Sequence, residues 1–175
     1  MNIIEKIDLK AEEKGKTAVT IWQFIKYNGV SMVATVVQLL LVNFLPALFV
    51  GVNKPLPEFL SKIFSEETLG AGNSNWGYVL PYFISMVVGN TITYMMNKKT
   101  TFNVDAPQWC FNVYLIVLVF MICVCTWVQG VIVNFFAQTG NTFLIKYDRT
   151  LSTMLSGGVM LAVMFPLQKF VLFKK

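Results

Sequence analysis

Four long stretches without a charged residue constrain this sequence more than any other feature. Asp, Glu, Lys and Arg are absent from residues 27–53, 68–97, 106–145 and 150–168. Each stretch provides the roughly 20 residues that a helix needs to cross the hydrocarbon of a bilayer. Because every backbone polar group there must be hydrogen-bonded within its own segment, such stretches predict helices rather than strands. We therefore expect an all-α integral membrane protein with four transmembrane helices, near residues 27–50, 76–97, 110–136 and 151–168.

The composition excludes a water-soluble fold of this size. Hydrophobic residues make up 55% of the 175 residues and charged residues only 13%, about half of the share found in an ordinary soluble domain. The net charge of +5 is spread over short connecting segments. We therefore assign it to lipid headgroups and expect no nucleic acid partner.

Lysine and arginine are distributed unequally between the two sides that the four spans define. The two ends of the chain and the 98–109 connection hold ten of these residues, whereas the two connections on the opposite side hold four. Short cytoplasmic segments retain positive charge, so we predict that both termini are cytoplasmic. Residues 1–26 then form a cytoplasmic segment and residues 27–175 a membrane domain in the plasma membrane. The first apolar stretch begins too late and is too long for a cleavable signal peptide, which we do not expect.

The connection formed by residues 51–75 carries an amphipathic pattern. Phe59, Leu60, Ile63 and Phe64 recur at helical spacing among charged residues. This pattern favours a short interfacial helix lying in the outer headgroup layer. The alternative interpretation is that the segment covers the mouth of a site.

The sequence offers no residue set for catalysis. It contains no histidine, which excludes histidine-based nucleophilic catalysis and histidine metal sites. Cys110, Cys123 and Cys125 lie in or beside the third span, where a thiol behaves as a small apolar group. We therefore expect a protein that is not an enzyme and has neither a cofactor nor a metal site.

The second and fourth spans end in similar residues. Asn97, Lys98 and Phe102 recur 71 residues later as Gln168, Lys169 and Phe173, which again are an amide, a cation and an aromatic ring. The four spans form two hairpins, each with an even number of spans. The similarity therefore predicts two parallel-repeat hairpins, related by an axis along the membrane normal.

The predicted spans contain amides but no acidic residue. Asn90, Tyr94 and Asn97 share one face of the second span, which leads down to Lys98 and Lys99. A polar stripe that ends in cations suits an anionic headgroup. Alternatively, the lysines only complement the helix dipole and the positive-inside bias, while the amides only bond helices together. The residues alone leave both interpretations open.

Three segments of the chain resemble motifs of a known family. They are Phe24-Ile25-Lys26-Tyr27-Asn28-Gly29-Val30-Ser31 with Gln38, then Asn90 with Asn97-Lys98-Lys99-Thr100-Thr101-Phe102, and Gln168-Lys169-Phe170-Val171-Leu172-Phe173. In this order they resemble the GtrA-like (GtrA/DPMS transmembrane) family, with its Asn-Phe-x-x-Asn-Arg-x-x-Thr-Phe signature and closing Arg-Phe-Val-Phe element. The chain departs from the family in three ways. Lysine replaces the usual arginine at 98 and 169, Thr91 stands where an aromatic residue is common, and the second hairpin has no amide matching Asn90.

The resemblance implies a flippase that moves a polyprenyl-phosphate-linked sugar to the outer leaflet for cell-envelope polysaccharide glycosylation. It implies that lysines attract the lipid phosphate and that amides line a groove for the headgroup. The substrate-binding residues would be Lys26, Gln38, Asn90, Asn97, Lys98, Lys99, Gln168 and Lys169. The alternative is a membrane anchor or scaffold for a glycosyltransferase. A small drug exporter is less favoured, because a proton-coupled pump needs an intramembrane carboxylate. The partners implied are the sugar lipid, membrane lipids, a glycosyltransferase and further copies of the chain.

Overall fold

The computed structural model describes residues 3–70 and 72–174, and all the regular elements within these residues are helical. Within these residues, Pro55 and Asn75 form an isolated antiparallel β-bridge. The α-helices are α1 (Ile3–Glu13), α2 (Lys16–Phe44), α3 (Glu58–Ser61), α4 (Glu66–Leu69), α5 (Trp76–Met96), α6 (Gln108–Gln138), α7 (Thr142–Lys146) and α8 (Asp148–Pro166).

Within the described ranges, four helices are long and apolar enough to span a membrane. The candidate spans are Lys16–Leu41, Trp76–Thr101, Gln108–Gln138 and Leu151–Leu172. This confirms the prediction of an all-helical protein with four such helices, and it indicates a multi-pass membrane protein.

The helix of the first span begins well before residue 27, where the charge-free stretch begins. Gly15 adopts a φ of 93°, in the left-handed region that favours glycine, and this turn separates α1 from α2. Lys16 and Lys26 are therefore both residues of α2. A lysine near a helix end can extend its charged head to the interface and leave its stem against apolar neighbours, so the charge pattern understates the length of this helix.

The four long helices pack as two antiparallel pairs. α2 packs along α5, and α6 packs along α8. Small residues allow the close approach in the first pair: a Cβ atom on Gly89 of α5 would lie 3.1 Å from the Cβ atom of Gln38 on α2. α5 also packs on α6 and joins the two pairs, whereas α2 and α8 contact each other much less.

Two of the long helices continue into a π-helical segment. α5 continues into the segment Asn97–Thr101, and α8 continues into Leu167–Leu172. Together with the start of α2 they form one end of the bundle, which we call the basic end because Lys26, Lys98 and Lys169 lie there. The opposite end, formed by residues 45–75 and 139–147, is called the loop end.

The described part of the 51–75 connection, residues 51–70 and 72–75, is folded into the bundle at the loop end. Phe59 is exposed, as the interfacial interpretation expects, but Phe64 and Leu69 are buried in a cluster with Val79 of α5. α4 packs on α6 so closely that a Cβ atom on Gly130 would lie 2.5 Å from the Thr68 hydroxyl. The segment thus combines a partly exposed α3 with an α4 that packs against α6.

Gly77 provides a test of this packing. Its backbone lies in the first turn of α5, and an added Cβ atom would be 2.6 Å from the backbone carbonyl oxygen of Val52. We expect Gly77→Ala to lower the free energy of unfolding by about 1–3 kcal/mol, because backbone on both sides limits relaxation. Denaturant unfolding of the purified protein in detergent micelles measures the change.

Gly158 of α8 is the matched control, because no other atom lies within 4 Å of a Cβ placed there. Gly158→Ala should leave stability unchanged or raise it by up to about 1 kcal/mol through helix propensity. Equal losses of stability in the two variants would contradict the packing of residue 52 on α5.

Candidate functional site

A cavity of about 590 Å³ lies between the four long helices, in the half of the bundle nearer the loop end. This volume falls in the range of about 300–1,000 Å³ typical of ligand pockets. Residues of α2, α5, α6 and α8 form its walls, and Thr68 and Leu69 of α4 form its roof. Two residues of the 51–75 connection therefore line the cavity.

The cavity wall combines apolar side chains with neutral hydrogen-bonding groups. Among the described residues, its lining contains no Asp, Glu, Lys or Arg. Hydroxyls and amides project from all four helices, and they include Ser31, Thr35, Gln38, Asn90, Thr126 and Thr153. Such a surface suits an uncharged polar ligand, since a charge would be buried without an opposite charge.

Several hydroxyls of the wall donate to carbonyls of their own helix. Thr93 donates to Gly89 O at 3.1 Å, and Thr126 donates to Ile122 O at 2.8 Å. A hydroxyl that donates in this way retains its oxygen lone pairs as acceptors. These side chains therefore satisfy their protons locally and still offer acceptors to a ligand.

Two amides of the wall join neighbouring helices. Gln38 Nε2 of α2 contacts the sulfur of Met86 on α5. Gln129 Nε2 of α6 donates to the hydroxyl of Thr153 on α8 at 2.9 Å. The amide of Asn90 instead donates to Met86 O of its own helix at 2.9 Å, which leaves its carbonyl oxygen as an acceptor at the cavity wall.

Aromatic rings in edge-to-face and tilted contacts close the cavity toward the basic end. Tyr27, which lines the cavity, contacts Phe165 with ring centroids 5.4 Å apart. Phe165 contacts Phe102 at 6.1 Å, Phe102 contacts Phe173 at 5.2 Å, and Phe173 contacts Tyr94 at 5.3 Å. All five residues are buried, and we call them the aromatic layer.

Two buried amides adjoin the aromatic layer. Gln168 is 0% exposed and donates from Nε2 to the Tyr27 hydroxyl at 3.2 Å. Asn97 is also 0% exposed, and its Oδ1 accepts from the Thr101 hydroxyl at 2.6 Å. Within the described residues, the Asn97 Nδ2 and Gln168 Oε1 atoms have no hydrogen-bond partner.

A second concavity, about 660 Å³ in volume, lies beyond the aromatic layer at the basic end. Phe102 and Phe173 form its floor, and the start of α2 forms one side. Lys169 lies in it and donates to the Thr20 hydroxyl at 2.6 Å and to Gln23 Oε1 at 2.8 Å. We call this concavity the basic-end groove. Its residues include Glu12 as well as Lys16 and Lys169.

The structure separates the eight residues that the sequence suggested for one site. Gln38 and Asn90 line the cavity, Lys169 lies in the basic-end groove, and Asn97 and Gln168 are buried beside the aromatic layer. The other three take different positions. Lys98 Nζ donates to Ala106 O at 2.8 Å, Lys99 is exposed, and Lys26 forms a 2.7 Å ion pair with Asp8.

Lys26 is committed to the packing of α1 on α2. The indole nitrogen of Trp22 donates to the same Asp8 oxygen at 2.6 Å, so one carboxylate accepts from two side chains of α2. Lys98 and Lys169 differ, because the oxygens that they bond are uncharged. Their positive charges are therefore less compensated than that of Lys26.

The hydroxyls of the cavity are functional candidates that the sequence did not single out. Ser31 and Thr35 lie four residues apart on α2, and Thr153 and Ser156 lie three residues apart on α8. This helical spacing of hydroxyls within otherwise apolar spans is the signal that marks them. It is a weak signal, since serine and threonine often bond only to their own helix.

The two segments with similar sequences also have similar backbone hydrogen bonds. The Phe102 N–H donates to Asn97 O at 3.0 Å, and the Phe173 N–H donates to Gln168 O at 2.8 Å. In each copy, the backbone N–H of the phenylalanine therefore donates to the backbone carbonyl of the amide residue five positions earlier. The same local structure thus accompanies both copies of the amide, lysine and phenylalanine pattern.

The aromatic ring contacts between the two helix pairs are reciprocal. Phe24 and Tyr27 of α2 contact Phe165 on α8, with centroids 5.2 and 5.4 Å apart. On the other side, Phe111 and Tyr114 of α6, which are again three residues apart, contact Tyr94 on α5. Their ring centroids lie 5.4 and 4.5 Å from that of Tyr94. Each pair of helices thus inserts one ring between two rings of the other pair.

Comparisons with models of protein families, with curated proteins and with solved structures find no match to this chain. They neither support nor contradict the resemblance to the GtrA-like family.

Proposed function

We propose that this protein translocates polyprenyl-phosphate-linked sugars across the plasma membrane for glycosylation of cell-envelope polysaccharides. The cavity between the four spans supports this proposal most directly. A sugar that leaves water loses hydrogen bonds, which is costly in hydrocarbon unless they are replaced. The hydroxyls and amides of Ser31, Gln38, Asn90 and Thr153 lie where they can replace them.

The basic-end groove supports capture of the phosphate. Lys169 bonds to two uncharged oxygens there, and Lys16 lies in the same groove. A lysine can hold a phosphate as a point charge, without the bidentate geometry of arginine. We assign the phosphate to this end and the sugar to the cavity. Lys98 and the exposed Lys99 add positive charge at the same end.

In this proposal the basic end faces the cytoplasm, and both termini lie there. The lysines of α1, of the start of α2 and of the two π-segments all belong to that end, in agreement with the positive-inside rule. The two helix pairs are then parallel-repeat hairpins. The reciprocal ring contacts support this arrangement, because a two-fold axis requires contacts of this kind.

The proposal is tested with the purified protein in sealed liposomes. Uptake of a radiolabelled short-chain prenyl-phosphate glucose into the vesicle lumen is measured against protein-free liposomes. We expect uptake that saturates with substrate and needs no nucleotide or ion gradient. Uptake no faster than in protein-free liposomes would overturn the proposal. If a glycosyltransferase then co-purifies in equal amount, the scaffold function becomes the better explanation.

Asn90→Leu tests the role of the cavity. The substitution removes a hydrogen-bonding side chain from the wall at similar volume, and the loss of one such bond is worth about 0.5–1.5 kcal/mol. We expect roughly a two- to tenfold lower rate of uptake at subsaturating substrate, with little change in stability. Radiotracer uptake and thermal unfolding are measured on the same preparation.

Asn43→Leu is the control, because Asn43 is exposed on α2 and its amide donates to Leu39 O of the same helix. Its rate of uptake should match that of the wild type. Equal rates in the Asn90 and Asn43 variants would remove Asn90 from the substrate path.

A further inference from the structure

The two seams that join the helix pairs are unequal. α5 packs against α6 along one seam, whereas α2 and α8 contact each other much less along the other. Near the basic end, the α2–α8 seam is bridged by the rings of Phe24 and Tyr27 against Phe165. Further from that end the cavity takes the place of direct packing, because residues of both α2 and α8 line it.

The exposed rim of the cavity lies on α2 and α8. Thr35 and Leu39 of α2 line the cavity and are also exposed, as are Thr153 and Gly157 of α8. By contrast, every described cavity-lining residue of α5 and α6 is buried or half-buried. The cavity therefore opens sideways between α2 and α8, at the level of the candidate spans.

Gly157 widens this opening. A Cβ atom built on it would have no other atom within 4 Å, so the glycine leaves open space where any other residue would place a side chain. Gly157 is also fully within a candidate span, Leu151–Leu172. The opening thus faces the hydrocarbon of the bilayer rather than water.

We propose that the α2–α8 seam is a lateral portal, through which the uncharged sugar of a lipid headgroup enters the cavity while the lipid's hydrocarbon chain stays in the bilayer. The occupant is a lipid because the site joins two environments. Its interior offers uncharged hydrogen-bonding groups among apolar side chains in the described lining, and its mouth opens on the apolar side of the helices. The basic-end groove lies on the same seam, since Lys169 there bonds to Thr20 and Gln23 of α2.

The proposed function supplies the identity of this lipid, a polyprenyl-phosphate sugar, and the inference rests on it to that extent. The contacts of the Phe165 ring with α2 then lie between two binding positions on the lipid's path, the basic-end groove and the cavity. We call these positions the two stations. The groove suits the phosphate and the cavity suits the sugar. A headgroup moves between them along the seam without entry of the hydrocarbon chain into the bundle.

The portal is tested by photolabelling in liposomes. The probe is a polyprenyl-phosphate glucose that carries a diazirine in the isoprenoid unit next to the phosphate, and adducts are located by mass spectrometry. We expect adducts on peptides that contain residues 31–39 and 153–161. Gly157→Phe should reduce labelling of these peptides at least fivefold, because the ring fills the opening.

Two matched pairs of variants keep the test independent of folding. Gly158→Phe places the same ring in equally open space beside Gly157 but outside the cavity lining, and its labelling should stay within twofold of the wild type. Thr35→Phe should reduce labelling as Gly157→Phe does. Val36→Phe, at the exposed neighbouring position, should not. Size-exclusion profiles confirm that each variant is folded.

The outcomes separate the two proposals. Equal labelling of the members of each pair, absence of adducts in the wild type, or adducts concentrated on the α5–α6 seam would overturn the portal. Portal-dependent labelling without vesicle uptake would establish the portal and overturn the translocase. Uptake that is unaffected by Gly157→Phe and Thr35→Phe would leave the translocase in place and overturn the portal.

Discussion

Replacing Phe173 with alanine is expected to lower the free energy of unfolding by about 3–5 kcal/mol, the usual cost of deleting a buried phenylalanine ring. Phe173 is 5% exposed, and its ring lies 5.3 Å from Tyr94 and 5.2 Å from Phe102. It therefore connects the end of the chain's last helical segment both to α5 and to the residue that follows the first π-segment. Reversible unfolding in mixed micelles, followed by tryptophan fluorescence, measures the loss.

Phe170 gives the matched control, because it lies in the π-segment that ends just before Phe173. It is 58% exposed, so Phe170→Ala should change the free energy of unfolding far less than Phe173→Ala. Phe102→Ala removes the ring at the corresponding position of the other segment and should cost about as much as Phe173→Ala. A small cost for both Phe102 and Phe173 would show that the aromatic layer does not hold the helix pairs together.

Neutralising the two lysines that bond to uncharged oxygens should slow translocation at least tenfold. The variant is Lys98→Gln with Lys169→Gln, in which each glutamine retains a donor for the oxygens that the lysines contact. A hydrogen bond to a charged group is worth about 1.5–3 kcal/mol, and about 1.4 kcal/mol corresponds to a tenfold change. Uptake at subsaturating substrate measures the effect.

Lys62→Gln is the control for a general change in charge. Lys62 is exposed at the loop end and forms a 3.0 Å pair with Glu58, so its loss should leave uptake unchanged. Raising the salt concentration should weaken wild-type uptake more than that of the double variant, because salt screens exposed charges. A double variant that transports at the wild-type rate would remove the phosphate from the basic end.

The helices were predictable because the bilayer imposes a length on apolar segments. The charge-free stretches identify the end of α5 and the starts of α6 and α8 to within a few residues, since Lys98, Asp105 and Arg149 lie close to those boundaries. The start of α2 was not predictable in this way. Lys26 lies inside the helix, where Asp8 of α1 balances its charge, and a pairing between separate helices leaves no mark on hydropathy.

The site was predictable only in part. Gln38 and Asn90 stand out because amides are uncommon in apolar spans, and both line the cavity. Lys26, Lys98 and Lys169 look equivalent in the sequence, yet Lys26 bonds to a carboxylate whereas Lys98 and Lys169 bond to uncharged oxygens, and only the folded structure shows this difference. Local pattern identifies which side chains are unusual, whereas tertiary packing decides which of them meet.

The two atoms without partners beside the aromatic layer affect how readily that layer opens. Leaving a buried polar atom unsatisfied costs about 1–3 kcal/mol, and here one is a donor, Asn97 Nδ2, and the other an acceptor, Gln168 Oε1. A hydroxyl can both donate and accept, so a passing sugar could satisfy either atom without displacing a bond already made. In the proposed translocation, the aromatic layer thus offers its own binding groups to the sugar that passes it, and satisfying them lowers the energy of the crossing.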